Sequence, residues 1–185
     1  MKLLVISLVV LVVPSVVLTH YTMYDWHAMP DDVKFSEANV TACEHAPIIS
    51  YHIHVLYWYN NAEHVRSALA LRDKFINHFE LNGQNCTITT GEPAPGHEMC
   101  IFFVDYTPGG PFTTAQFSFF IPPDRFTETS AWMLQHRGIH DLFMHPNTGC
   151  EINDHTQWFM WSGEVWPLDI SIFECNYPGC VPACC

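Results

Sequence analysis

The strongest constraint on the fold is the way the apolar period switches along the chain. Ile48 to Tyr59 is rich in β-branched and aromatic residues, as a strand is, and Asn60-Asn61 ends it. From Ala62 to Leu81 the period becomes helical. Val65, Leu69, Arg72 with its long stem, Ile76 and Phe79 recur on one face, with Ala68 and Phe75 beside them, and Asn82-Gly83 supplies a stop. Thr87 to Thr90 reads as a short strand. Glu98 to Tyr106 and Thr113 to Ile121 read as longer ones around the turn Pro108-Gly109-Gly110-Pro111. Pro122-Pro123-Asp124 opens a second helix that runs to about His136 and stops at Gly138. Asp141 to His145 and Thr156 to Trp161 read as closing strands. The order β-α-β-β-α-β, with an added strand, predicts an α+β domain of the ferredoxin-like kind. Two helices should pack on one face of an antiparallel sheet.

The flanks of this domain speak of export. Lys2 precedes an apolar run from Leu3 to Val13, which Pro14 and Ser15 break. The run is too short to span a bilayer and has the layout of a secretory signal, read as residues 1–19 with cleavage near His20. Residues 20–47 read as a surface extension, 48–173 as the domain, and 174–185 as a Cys-rich tail. The eight cysteines are Cys43, Cys86, Cys100, Cys150, Cys175, Cys180, Cys184 and Cys185. In an exported chain they imply disulfides that staple the terminal extensions. The tail lacks the well-separated Cys-x-x-Cys pairs that zinc would want. Asn39-Val40-Thr41 and Asn85-Cys86-Thr87 are N-glycosylation sequons and agree with the same compartment.

A formal net charge of −12 would repel a phosphate backbone, so nucleic acid is excluded as a partner. No other stretch is apolar enough to cross a membrane, so none is expected to be involved once the signal is removed. A homo-oligomer is compatible with the sequence.

The twelve histidines are the chemically informative residues. His52 and His54 stand two apart in a strand and therefore point to one face, which suits metal ligation. His97 follows Pro93-Ala94-Pro95-Gly96 at a loop-to-strand junction. His145 ends a strand and is held extended by Pro146. His155 follows Asp154 ahead of an aromatic stretch. His64 and His78 fall on the polar side of the first helix and read as solvated, and Arg72 or Arg137 could clasp a carboxylate. Tyr51, Tyr57, Phe103 and Trp158 could stack on an aromatic ring.

The ordered set Tyr51-His52-Ile53-His54-Val55-Leu56-Tyr57, Leu71-Arg72-Asp73-Lys74-Phe75, Pro95-Gly96-His97, His136-Arg137-Gly138, His145-Pro146-Asn147-Thr148-Gly149 and Asp154-His155 resembles the DOPA 4,5-dioxygenase family of fungi and bacteria. The resemblance covers roughly residues 48 to 165, and Trp161-Ser162-Gly163-Glu164 looks like the family's W-L-G-E end with Ser for Leu. It departs in its export signal, its many cysteines, and Glu98 where the family usually has Pro. The resemblance implies a ferredoxin-like fold and ring cleavage of a catechol such as 3,4-dihydroxyphenylalanine by O₂ at non-haem Fe(II). It carries over His54, His97 and His145, taken as metal ligands, and His52 and His155, taken as catalytic. The alternative is a non-catalytic secreted protein that binds a metal or small molecule on the same scaffold.

Overall fold

A computed structural model describes residues 46–87 and 90–173. The signal segment, most of the extension with Asn39, the Cys-rich tail, and half of the short strand expected at 87–90 lie outside the described residues. The domain is built from β1 (Ser50–Tyr57), α1 (Ala62–His78), β2 (Cys100–Asp105), β3 (Ala115–Ile121), α2 (Phe126–His136), β4 (Asp141–Asn147), α3 (Glu151–Thr156) and β5 (Met160–Ser162). The sheet order is β2-β3-β1-β4-β5, with every neighbouring pair antiparallel. This is the expected ferredoxin-like arrangement, widened by β5 at the β4 edge.

Local signals explain the first helix. Asn61 caps α1 by accepting from the Glu63 and His64 amides. Its end comes at His78, ahead of the expected Leu81. Glu80 adopts the left-handed region (φ 57°), and the Leu81 amide reaches back to the Ile76 carbonyl, the Schellman closure.

Alternation along the strands divides the molecule into two apolar layers. On one face Ile53, Val55 and Tyr57 of β1, Phe117 and Phe119 of β3, and Leu142 and Met144 of β4 pack against Leu71 and Phe75 of α1 and Met133 of α2. Phe75 stacks on Phe119 at 4.0 Å, and Trp132 of α2 meets it edge-on. The two helices therefore share one face, as the sequence predicted.

The other face is covered as well. Phe112, Trp166 and Leu168 come from connecting segments and close over Leu56, Phe143 and Trp161. A smaller cluster of Cys86, Cys100, Phe102 and Phe120 sits toward the β2 edge, where Cys86 and Cys100 form a disulfide. Cys150 is disulfide-bonded too. Between these two apolar patches lie the histidines.

One expected element is corrected. The strand read at Thr156 to Trp161 begins later than expected: Thr156 ends the short helix α3 that precedes it, and pairing with β4 runs only from Met160 to Ser162. The helix forms because the buried Asp154 carboxylate accepts from both the amide and the hydroxyl of Thr148, fixing the turn that leads into it. Beyond β5, the Glu164 amide and the Trp166 indole both donate to Asp141 at 2.8 Å. Gly163 allows that approach, since a Cβ there would collide with the Asp141 carboxylate.

Candidate metal centre

The face of the sheet opposite α1 and α2 carries an H-x-H pair from β1. Period two sends His52 and His54 to this face while Ile53 and Val55 go to the core. Antiparallel pairing sets His145 of β4 directly across from His52, and Ser118 of β3 directly across from His54. His52, His54 and His145 are each at most 2 % exposed, and one ring nitrogen from each lies within 4.8 Å of the others. The His54 and His145 rings stack at 5.2 Å with their Nε2 atoms 3.2 Å apart.

His145 Nδ1 donates to the Pro146 carbonyl at 2.8 Å, which makes Nε2 the basic atom facing the group. Burial, reinforced by His155, His52 and His54, holds the His145 imidazole well below the usual histidine value. It is therefore neutral at physiological pH, the form a metal requires. His54 Nδ1 contacts the Gln116 amide oxygen at 3.0 Å, and the Gln116 amide nitrogen donates to Asp105. Aromatic walls enclose the group: Phe102 meets His52 at 4.8 Å and Phe112 meets His54 at 4.5 Å. Ser118 contributes a fully buried hydroxyl with no hydrogen-bond partner among the described residues. Three buried imidazoles with converging ring nitrogens are a donor set suited to a divalent transition metal, iron(II) included.

The structure places the expected site residues unequally. It brings His52, His54 and His145 together, with His155 of α3 packed on His145 at a centroid distance of 4.1 Å. His97 does not join them. It is exposed in the loop ahead of β2, following Gly96 in the left-handed region (φ 91°), and His52 completes the group of three. Arg72 lies on α1, on the far side of the sheet, and Arg137 is engaged at the His140 carbonyl. Tyr51 and Tyr57 face the helices, where Tyr51 stacks on Phe126. His64, read as solvated, is half-buried: it accepts from the Trp58 amide and meets His140 edge-on. Gln116, Asp105, Ser118 and Glu151 were not anticipated. The signal for Gln116 and Ser118 was present, as two polar residues alternating with phenylalanines in a strand.

His155 is oriented by its own helix. Its Nδ1 donates to the Glu151 carbonyl at 2.8 Å, with the Glu151 carboxylate 3.7 Å away. Burial, and then Asp154, push the Glu151 carboxyl up to about 8, while burial raises Asp154 to about 7 against the two Thr148 donors. A carboxyl raised in this way binds its proton more tightly in the folded chain than in the unfolded one. The stability Glu151 contributes is complete below its ordinary value of 4.5 and is lost as pH rises through about 8. In metal-free protein, Glu151→Gln is expected to be the more stable form at high pH by on the order of a few kcal/mol, and close to wild type in mild acid. Urea midpoints across the pH range measure this, and an equal difference at both ends would remove the buried carboxyl from the account.

Comparison with known proteins agrees with this architecture. An uncharacterized 21.2 kDa protein of Botryotinia fuckeliana is 30 % identical over 133 residues, covering 68 % of this chain and 63 % of that protein. The chain thus spans a little under two thirds of that curated relative. The crystal structure of a Nostoc punctiforme protein, provisionally described as a dioxygenase, superposes with a TM-score of 0.52. It is 22 % identical and covers 67 % of this chain and 90 % of that one, a likeness of fold. The family model for the Dopa 4,5-dioxygenase family matches residues 51–172, a span that begins one residue before His52 and includes His54, His145 and His155. On that match across most of its described fold, this chain belongs to the Dopa 4,5-dioxygenase family.

Proposed function

We propose that this protein is a secreted, iron(II)-dependent extradiol dioxygenase that opens the ring of a catechol such as 3,4-dihydroxyphenylalanine with O₂. The observation that carries the reading is the convergence of three buried imidazoles on one sheet face of a chain in this family. Iron(II) held by His52, His54 and His145 would supply open coordination positions where catechol and O₂ meet. In such a cleavage both oxygen atoms enter the product as a ring carbon–carbon bond breaks, so no separate reductant is consumed.

The chain's own residues supply the rest. With Nδ1 of His155 donating to Glu151, its Nε2 is the atom that would take the proton a catechol hydroxyl must lose. Phe112 and Phe143 exclude water around the imidazoles and offer flat apolar surface to an aromatic ring. The Ser118 hydroxyl across from His54, without a partner among the described residues, gives a substrate oxygen a hydrogen-bonding group on the same wall. Export is part of the proposal: the leader read at residues 1–19 and the disulfide chemistry of Cys86, Cys100 and Cys150 support an oxidising compartment.

The test uses the full chain secreted from an oxidising host and loaded with iron(II) without air. On adding 3,4-dihydroxyphenylalanine and O₂, uptake of one O₂ per catechol with a ring-opened product is expected. Tight iron binding without O₂ uptake, across a panel of catechols, would leave the non-catalytic metal-binding reading instead.

A further inference from the structure

Gln116 lies against Nδ1 of His54, at 3.0 Å through its amide oxygen. It is fully buried on β3, paired in register with Asp105 of β2 on one side and Leu56 of β1 on the other, diagonal to His54. Asp105 is half-buried and reaches the relay from the sheet edge. The amide nitrogen of Gln116 donates to the Asp105 carboxyl oxygen, and the amide oxygen is left facing His54 Nδ1. An oxygen there requires the His54 proton on Nδ1. His145 is fixed in the same sense by the Pro146 carbonyl. Both Nε2 atoms, 3.2 Å apart, then present lone pairs to each other, an arrangement that calls for a cation between them.

The opposite amide orientation would undo this. With its nitrogen turned inward, Gln116 would donate to His54 Nδ1, moving the His54 proton to Nε2. At the observed separation His54 Nε2–H would then donate to His145 Nε2, and the pair would satisfy itself with no lone pair left for a ligand role. The two amide orientations thus correspond to an open and a self-closed histidine pair.

We propose that Gln116 is a positioning residue of the metal centre, and that Asp105 holds its amide in the orientation that keeps His54 Nε2 available to metal. The inference rests on the metal-site reading, but not on the catalytic one. It explains why a strand facing an apolar layer spends a buried position on glutamine, and it joins a partly exposed carboxylate on β2 to a ligand two strands away.

The test uses the full chain, zinc(II) as a redox-silent probe, and nitrogen-15 spectra of the histidine rings. In metal-free wild type the His54 proton is expected on Nδ1. Gln116→Leu should weaken zinc binding by about 10- to 100-fold, the range for losing a ligand's orienting partner, and Asp105→Asn by up to about tenfold, because the amide is then free to turn. Gln116→Glu offers His54 only acceptor oxygens and has nothing to turn. Adding Asp105→Asn to that variant should therefore leave zinc affinity unchanged or improve it by relieving carboxylate repulsion. That change of sign is what a merely structural pair would not show. A His54 proton found on Nε2 in metal-free wild type, or an equal loss from Asp105→Asn in both backgrounds, would overturn the proposal. If Gln116→Leu fails to fold, the wild-type spectrum and the Asp105→Asn pair still decide. Zinc affinity and ring protonation do not depend on O₂ uptake, so failure here is distinct from failure of the dioxygenase reading.

Discussion

Replacing His145 with alanine will leave a folded chain that no longer holds a divalent metal, and replacing His97 will not. His145 lies at the centre of the group, in register with His52, with its Nε2 beside that of His54 and its ring against His155. Losing a donor outright should exceed the roughly 100-fold ceiling for losing an outer partner, so zinc affinity is expected to drop by more than about that factor. Turnover with iron should vanish with it. The fold should survive because β4 is held by backbone pairing to β1 and β5 and by Leu142 and Met144 in the helix-side core, none of which uses the imidazole. His97→Ala removes an exposed loop side chain and should leave affinity and Tm at wild-type values. Calorimetric zinc titration, with circular dichroism for the fold, checks both. Normal binding by the His145 variant would move the metal centre elsewhere.

The contrast between these two histidines shows what was legible in the residues. A period of two forces His52 and His54 to one face whatever else the chain does, and Pro146 holds His145 in extended backbone. Those are local rules, and local rules survive folding. His97 had only a loop behind it, and a loop's direction is set by tertiary packing that no spacing encodes. Gly96 in its left-handed conformation lies just before it in that loop, and its ring stands in solvent. The helix α3 was missed for a related reason. Six residues are too few for a helical period to stand out, and the segment is held by Asp154 reaching the Thr148 turn. The element order and the placement of both long helices were readable because each spans several periods. The roles of Asp154 and Gly163 were not, although both belong to the motifs that carried the family resemblance. Their work is architectural: one pins the turn before α3, and the other lets Asp141 brace the segment after β5.

Covering the second face also changes how the site can work. Two helices on one side of a small sheet would leave the histidines on an open surface, where water competes for every coordination position. Here Phe112, from the loop between β2 and β3, and Phe173, at the end of a short 3-10 turn after β5, lie against His54 and His155. The imidazoles gain a buried environment, which keeps His145 neutral and strengthens charge interactions within the group. The chemistry proposed for this site therefore depends as much on the segments after β2 and β5 as on the strands that carry the ligands.

Replacing His155 with alanine is expected to separate metal binding from catalysis. His155 packs against His145 yet stands on a different element, and its Nδ1 is committed to the Glu151 carbonyl. In the proposed reaction its Nε2 receives the catechol proton, so its removal should lower kcat by about 10²- to 10⁴-fold, the range for losing a general base. KM should move far less, because the metal and the aromatic walls still hold the substrate. Zinc affinity should fall by less than about tenfold, since the His52, His54 and His145 donors are intact. The cavity left by the ring has room for free imidazole, which should restore part of kcat in proportion to its concentration while leaving KM unchanged. A structural role would give neither the rescue nor the split between kcat and KM. Steady-state O₂ uptake with and without added imidazole makes the measurement. If the variant loses zinc as completely as His145→Ala does, His155 belongs among the ligands, and the proton must be taken by another group.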